Sequence, residues 1–204
     1  MGQAFSQHVK HALAYPRCQR PLLLSSLDNL RSEAPPFELF RTERGGEVTY
    51  HGPGQLVVYP VLDLTGHQRD LRWYMGALEE VVIRVLASLG ICAQREAGLT
   101  GVWVNGAKVC AMGVRVSRWV TMHGLALNVS PDLSHFEHIV PCGIADRRVT
   151  SLEELLPPSE CPNLDAVAAL LLVHMSEVFQ VELKLAETSA DEELIAAARD
   201  LAGV

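Results

Sequence analysis

Asn105-Gly106 separates two apolar runs rich in β-branched residues, Gly101–Val104 and Ala107–Ser117. That dipeptide favours a two-residue type I′ turn, whose backbone twist matches that of the strands it joins, so the two runs read as a hairpin. Trp119–Val129 continues as a third strand of the same meander. A sheet of this kind must cover one apolar face with other elements. Asp70–Leu89 offers one, with Leu71, Met75, Leu78, Val82, Val85 and Leu89 at helical spacing and Gly90 ending it. Leu164–Phe179 offers a second helix with a wide apolar face. Strands precede helices without regular alternation, so the fold class is α+β, a mixed sheet packed with helices.

The remaining segments fit around that frame. Phe37–Arg41 reads as a short strand, Arg44–Gln55 as a loop and Gln55–Leu64 as a buried strand. Pro131–Val149 is a long loop, and Ser151 with Glu154 has the capping-box pattern of a short helix stopped by Pro157. Val181–Leu185 reads as an edge strand and Asp191–Leu201 as a polar terminal helix. One domain is expected over residues 1–185, with 1–30 an atypical start, followed by a helical tail over 186–204. Met1–Leu27 has no acidic residue and no clear period.

Charge and cysteine usage narrow the function classes. Net charge is −7, but from Ser151 onward there are 2 basic and 11 acidic residues, whereas Gly101–Thr150 has 5 basic and 3 acidic. That distribution argues against nucleic-acid binding and leaves room for a local basic patch facing an acidic partner. The five cysteines are Cys18, Cys92, Cys110, Cys142 and Cys161, with no CxxC pair. Neither a disulfide framework nor a metal site is suggested, and a reducing compartment, the cytoplasm, fits best. No apolar run reaches the ~18 residues of a membrane span.

Three segments carry chemistry. Arg44-Gly45-Gly46-Glu47-Val48-Thr49-Tyr50-His51-Gly52-Pro53-Gly54-Gln55 has glycines that let backbone approach a ligand, beside polar Arg44, Thr49, Tyr50 and His51. It is neither a P-loop nor a dinucleotide fingerprint. Lys108 follows the hairpin turn and precedes the apolar Val109-Cys110-Ala111-Met112. A lysine there is either solvated or, withdrawn from water, able to serve as acid and base. His123 reads as a structural histidine, while Gly124, Leu125 and Ala126 offer a small-residue wall for an apolar chain. Cys142 lies between Pro141 and Gly143, with Arg147 and Arg148 soon after. A loop thiol near cations is a nucleophile candidate, because only a few per cent of a free thiol is thiolate at pH 7 and a cation raises that fraction.

RGGEVTYHGPGQ (Arg44–Gln55), GAKVCAMGVRVSRWVTMHGLALNV (Gly106–Val129) and FEHIVPCGI (Phe136–Ile144) together resemble the lipoyl(octanoyl) transferase family. The likeness runs from about Phe37 to Leu156, with all three segments in order. It implies a fold similar to the catalytic domain of biotin and lipoate protein ligases. It also implies a reaction, in which octanoyl passes from octanoyl-acyl carrier protein to the lysine amine of a lipoyl domain. Targets would be 2-oxoacid dehydrogenases and the glycine cleavage H protein. Cys142 matches the family nucleophile and Lys108 its partner. Arg44 to His51 (Glu47 and Val48 included), Ala111, Met112, Gly113, Gly124, Leu125 and Ala126 match segments lining the acyl site. No cofactor or metal is implied, since a thioester is already activated.

An early strand and turn that the family reads roughly as PPVYTLG has no counterpart in Met1–Leu24. That stretch is therefore expected to be disordered, or to pack without completing the sheet edge. Rival readings are an ATP-dependent lipoate or biotin protein ligase, a thioesterase, and a non-catalytic relative that binds acyl-carrier or lipoyl domains.

Overall fold

The computed structural model describes residues 12–16, 38–42, 44–46, 48–139 and 148–183. Its larger sheet has five antiparallel strands in the order β4-β8-β7-β6-β5. In chain order these are β4 (Gln55–Val58), β5 (Gln94–Glu96), β6 (Leu99–Val104), β7 (Ala107–Ser117) and β8 (Val120–Asn128). The β6–β7 turn is as expected from Asn-Gly, with Asn105 at φ 50° and Gly106 at φ 77°. The β7–β8 turn uses the same left-handed pair, but with Arg118 at 49° and Trp119 at 69°. No turn residue announces it in the sequence. Eight paired positions from Cys110↔Leu127 to Ser117↔Val120 hold it in place.

Two helices cover one face. In α1 (Leu71–Ser88), Asp70 caps the N-terminus by accepting from the N–H groups of Arg72 (2.8 Å) and Trp73 (3.2 Å). Its buried stripe is Tyr74, Ala77, Leu78, Val81, Val82, Val85 and Leu86. Leu71 and Met75 lie at the end of that stripe, Leu71 exposed and Met75 half-buried. A four-residue helix, α2 (Leu152–Leu155), starts at Ser151, whose Oγ accepts from Glu154 N–H. The Glu154 carboxylate turns to Thr150 Oγ1 (2.9 Å), so one half of the expected capping box is used elsewhere. In α3 (Leu164–Phe179), Val167, Leu171, Met175 and Phe179 pack into one core with α1, Val102, Val104, Val109, Leu125 and Leu127. Each fully buried aliphatic side chain there contributes about 1.5–3 kcal/mol.

A second sheet of three strands has the order β2-β1-β3, from β1 (Ala12–Pro16), β2 (Glu38–Thr42) and β3 (Thr49–His51). It is mixed: β1 runs parallel to β2 and antiparallel to β3. Of the two outcomes expected for Met1–Leu24, disorder is therefore not the case over Ala12–Pro16, which forms a strand in this second sheet. Five residues are too few to display a period, and partners on both sides decide their conformation instead. Three further readings change. The segment Arg44–Gln55, expected as a loop, holds strand β3 at Thr49–His51, because β1 pairs with it. The strand expected over Gln55–Leu64 ends at Val58, before Pro60, which has no N–H for a ladder. Residues Val181–Glu182–Leu183 follow α3 without forming a strand. Lys184, Leu185 and the expected terminal helix lie outside the described residues.

Candidate active site

The glycine-rich segment reaches the large sheet because β7 has no side chain where it lands. Gly45 N–H donates to Val114 O at 2.9 Å. A Cβ on Gly113 would stand 2.6 Å from Gly45 O and 3.1 Å from Arg44 Cδ. Directly across the ladder, Gly124 pairs with Gly113 and lies against the main chain of Val58. Gly113 therefore lets the loop settle on the sheet, and Gly124 lets the chain leaving β4 at Val58–Pro60 pass close to β8. Beyond the loop, β3 turns alternate side chains to opposite sides. Thr49 and His51 face a cavity, whereas Tyr50 is fully buried against His135 and Phe136, with ring centroids 4.9 and 5.4 Å away. Burial, and secondarily the Asp132 carboxylate, push the Tyr50 phenol up to about 12.

The cavity has a volume of about 410 Å³, within the usual range for small-molecule sites. Its walls include Arg44, Gly45, Gly46, Val48, Thr49 and His51 from the loop and β3. Strands β7 and β8 supply Lys108, Ala111, Met112, Gly113, Gly124, Leu125 and Ala126. Lys108 is 7% exposed, with its Nζ 4.7 Å from the centre of the Trp103 ring. A cation over an indole face keeps part of the stabilisation that water would give it. Gly101, at φ +115°, lets β6 pass close to the lysine strand: a Cβ there would stand 2.5 Å from Cys110 O.

A buried polar relay joins two lining residues, His51 and Asn128, through Gln55. Asn128 Nδ2 donates to Thr150 O at 3.0 Å, Gln55 Nε2 donates to Asn128 Oδ1 at 2.9 Å, and Gln55 Oε1 meets His51 Nδ1 at 3.1 Å. Gln55 Nε2 also donates to Tyr50 O at 3.2 Å. Thr150 in turn straps onto the lysine strand: its N–H donates to Lys108 O (3.0 Å), and Lys108 N–H donates to Arg148 O (2.9 Å). Burial lowers the His51 pKa below 6.5. Nearby Arg44 acts the same way, and the Gln55 bond opposes them in part.

The structure thus gathers the expected Arg44, Gly45, Gly46, Val48, Thr49, His51, Lys108, Ala111 to Gly113 and Gly124 to Ala126 around one cavity. Tyr50 instead supports the wall from behind. Glu47 and Cys142 lie outside the described residues. Both flanks of the Cys142 segment reach the site, since Phe136 and Val149 line the cavity. Cys110 is fully buried, and burial pushes its thiol far up, so it stays protonated. Sequence reading missed Gln55 and Asn128 as site supports, and His123, Leu71 and Met75 as lining residues. The available signal for the first two was a polar amide at the end of an apolar strand, Gln55 opening β4 and Asn128 closing β8, which must find partners when buried. Among the described residues, no group of three or more His, Cys, Asp or Glu could hold a metal ion. No described helix is long and apolar enough to cross a membrane.

Comparison with known proteins places these features in context. The family described as lipoyl protein ligase A/B catalytic domain matches residues 10–176. An octanoyltransferase of Gloeobacter violaceus is 61% identical over 65% of this chain and 59% of its own length. A chloroplastic octanoyltransferase of Arabidopsis thaliana is 54% identical over 73% of this chain and 56% of its own. The chain therefore spans somewhat over half the length of these relatives. An octanoyltransferase of Synechococcus elongatus is 49% identical over 86% of this chain and 76% of its own length. Among solved structures, a lipoate-protein ligase A bound with ATP aligns at TM-score 0.71 and 19% identity, over 94% of this chain and 77% of that one. A bipartite lipoate protein ligase from Thermoplasma acidophilum aligns at TM-score 0.68 and 20% identity, over 94% and 76%. At these identities the structural likeness shows the fold alone.

Proposed function

The chain belongs to the lipoyl protein ligase A/B catalytic domain family, and on that premise we propose that it is an octanoyltransferase of lipoate biosynthesis. It takes octanoyl from octanoyl-acyl carrier protein and delivers it to lysine amines of lipoyl domains, including those of 2-oxoacid dehydrogenases and the glycine cleavage H protein. The observation that carries this reading is the high identity to relatives named octanoyltransferase. The cavity is consistent with it, since small and apolar residues line one side and a buried lysine sits in the wall.

Two protein substrates need one site, and a covalent intermediate lets them visit in turn. The Cys142 thiolate attacks the octanoyl carbonyl carbon. The bond to the pantetheine sulfur breaks, and that sulfur takes a proton from the Lys108 ammonium. The neutral amine of the target lysine then attacks the Cys142 thioester. A C–N bond forms, the C–S bond breaks, Cys142 leaves as thiolate, and the surplus proton of the amine returns to Lys108. No ATP, metal or other cofactor enters this balance. The free thiols suit a reducing compartment, the cytoplasm, although the Arabidopsis relative is chloroplastic by name.

The deciding experiment is intact mass spectrometry after mixing with octanoyl-acyl carrier protein. The reading expects one octanoyl adduct, labile to hydroxylamine, that Cys142→Ser cannot form as a thioester. An adduct on Cys110, or transfer that depends on ATP, refutes it.

A further inference from the structure

We infer that Gln55 and Asn128 are positioning residues that hold His51 with its proton on Nδ1, so that Nε2 faces the cavity as a hydrogen-bond acceptor for the amine of the incoming lysine. This rests on the proposed octanoyl transfer for the identity of the donor. The arrangement itself follows from the polar relay.

The direction of that relay is set by two main-chain carbonyls. Thr150 O can only accept, so the Asn128 group that meets it is Nδ2, and Oδ1 points toward Gln55. An oxygen facing Gln55 requires Nε2 there, and the second hydrogen of Nε2 serves another acceptor-only group, Tyr50 O. Oε1 of Gln55 is then the atom left for His51, and an oxygen without hydrogens can meet Nδ1 only if Nδ1 carries one. The assignment depends on no choice of amide flip, because either flip would set a donor against a donor or an oxygen against a carbonyl. Gln55 and Asn128 are 5% and 3% exposed, and their amide groups are held by the protein partners just named.

His51 lines the cavity, and its Nδ1 edge is turned to buried Gln55. The ring edge left for the cavity carries Nε2, which in this tautomer is a lone pair. The acyl thioester carbonyl has no hydrogen to give it. The target amine has two, and can donate one while keeping its own lone pair for the thioester carbon. Arg44 on the loop and Lys108 on β7 put positive charge around the same cavity. Burial, and after it the Arg44 charge, disfavour protonation of His51 against the opposing Gln55 bond, and this keeps the acceptor available. Among the described residues, the other titratable groups around His51 are His123 and Tyr59 on the β8 and β4 sides, with Tyr50 and the His135–Asp132 pair behind β3.

The test has two readouts. In the full chain with 15N-labelled histidine, two-bond 15N–1H correlation spectra near neutral pH report the protonated ring nitrogen of His51, identified by its loss in His51→Gln. The expected result is Nδ1–H. An Nε2–H tautomer overturns the inference. Single-turnover rates are then compared for acylation by octanoyl-acyl carrier protein and for transfer to a lipoyl domain. In Gln55→Glu a carboxylate meets Nδ1–H and favours the imidazolium. Transfer relative to acylation should fall about ten-fold near neutral pH and recover about one pH unit higher, the two being the same quantity. Asn128→Asp places a carboxylate one residue farther along the relay and should shift the profile the same way by less, which covers the case of a misfolded Gln55→Glu. Unmoved profiles in folded variants overturn the inference. If no thioester forms at all, the proposed function fails, and the NMR tautomer still decides the arrangement of His51.

Discussion

Replacing Gly113 by alanine tests whether the loop–sheet contact builds the site. The new Cβ would stand 2.6 Å from Gly45 O, and ordinary van der Waals contact begins near 3.4 Å, so the Arg44–Gly46 segment has to retreat by roughly 0.8 Å. The Gly45 N–H···Val114 O bond, 2.9 Å long, stretches beyond useful length. Overpacking costs about 1–3 kcal/mol. Losing the bond adds about 0.5–1.5 kcal/mol. The reduced freedom of the unfolded chain returns about 0.4–1 kcal/mol. The net is a loss of about 2 kcal/mol. With a urea slope of about 2–3 kcal/mol/M, the unfolding midpoint falls by about 0.8 M at unchanged slope. The matched control is Gly76→Ala in α1, where a Cβ meets nothing within 4 Å. There helix propensity alone should raise stability by about 0.5–1 kcal/mol. Octanoyl transfer should fall in Gly113→Ala and not in the control. Gly113→Ala with the midpoint and activity of the parent would show that the loop is not seated by the glycine, and the reasoning would fail.

His51 makes stability pH-dependent. Because the folded chain holds it below 6.5, the unfolded chain takes up the proton first as pH falls, and stability drains from about that pH downward. Urea midpoints between pH 7 and 5 should fall less steeply in His51→Gln, and parallel slopes would refute the buried neutral imidazole. Lys108→Ala should move the pH midpoint of Cys142 alkylation upward, toward about 8.5 for a free thiol; an unchanged midpoint removes Lys108 from that role. Asp70→Ala should cost about 1 kcal/mol through the lost cap of α1, read as a urea midpoint shift. Charge reversal at the exposed Arg148 should slow acylation by acidic octanoyl-acyl carrier protein at low salt, with the effect fading as salt screens it. Equal rates at low salt would exclude that contact.

Local signals in the sequence determined the parts of the fold whose conformation depends on near neighbours. Asn105-Gly106 placed the hairpin, Asp70 and Gly90 bounded α1, and the apolar spacing of Leu164–Phe179 placed α3. The glycine-rich loop, Lys108 and Gly124–Ala126 came together as a set only through the family resemblance, because each alone reads equally well as a turn, a solvated lysine or small core residues. What only the tertiary structure decided depends on partners distant in the chain. β1 is a strand because β2 and β3 flank it, not because Ala12–Pro16 has a pattern. Arg118-Trp119 turns because the β7–β8 ladder closes on it. Tyr50 and His51 are adjacent in sequence and have opposite fates, one behind the wall and one in it, since alternate strand residues face opposite sides and only the packed neighbours say which side is which. The relay from His51 through Gln55 and Asn128 to Thr150 spans 99 residues of chain. Hydrogen bonds of that range leave no periodic trace in a sequence, because their energy comes from burial that the fold creates.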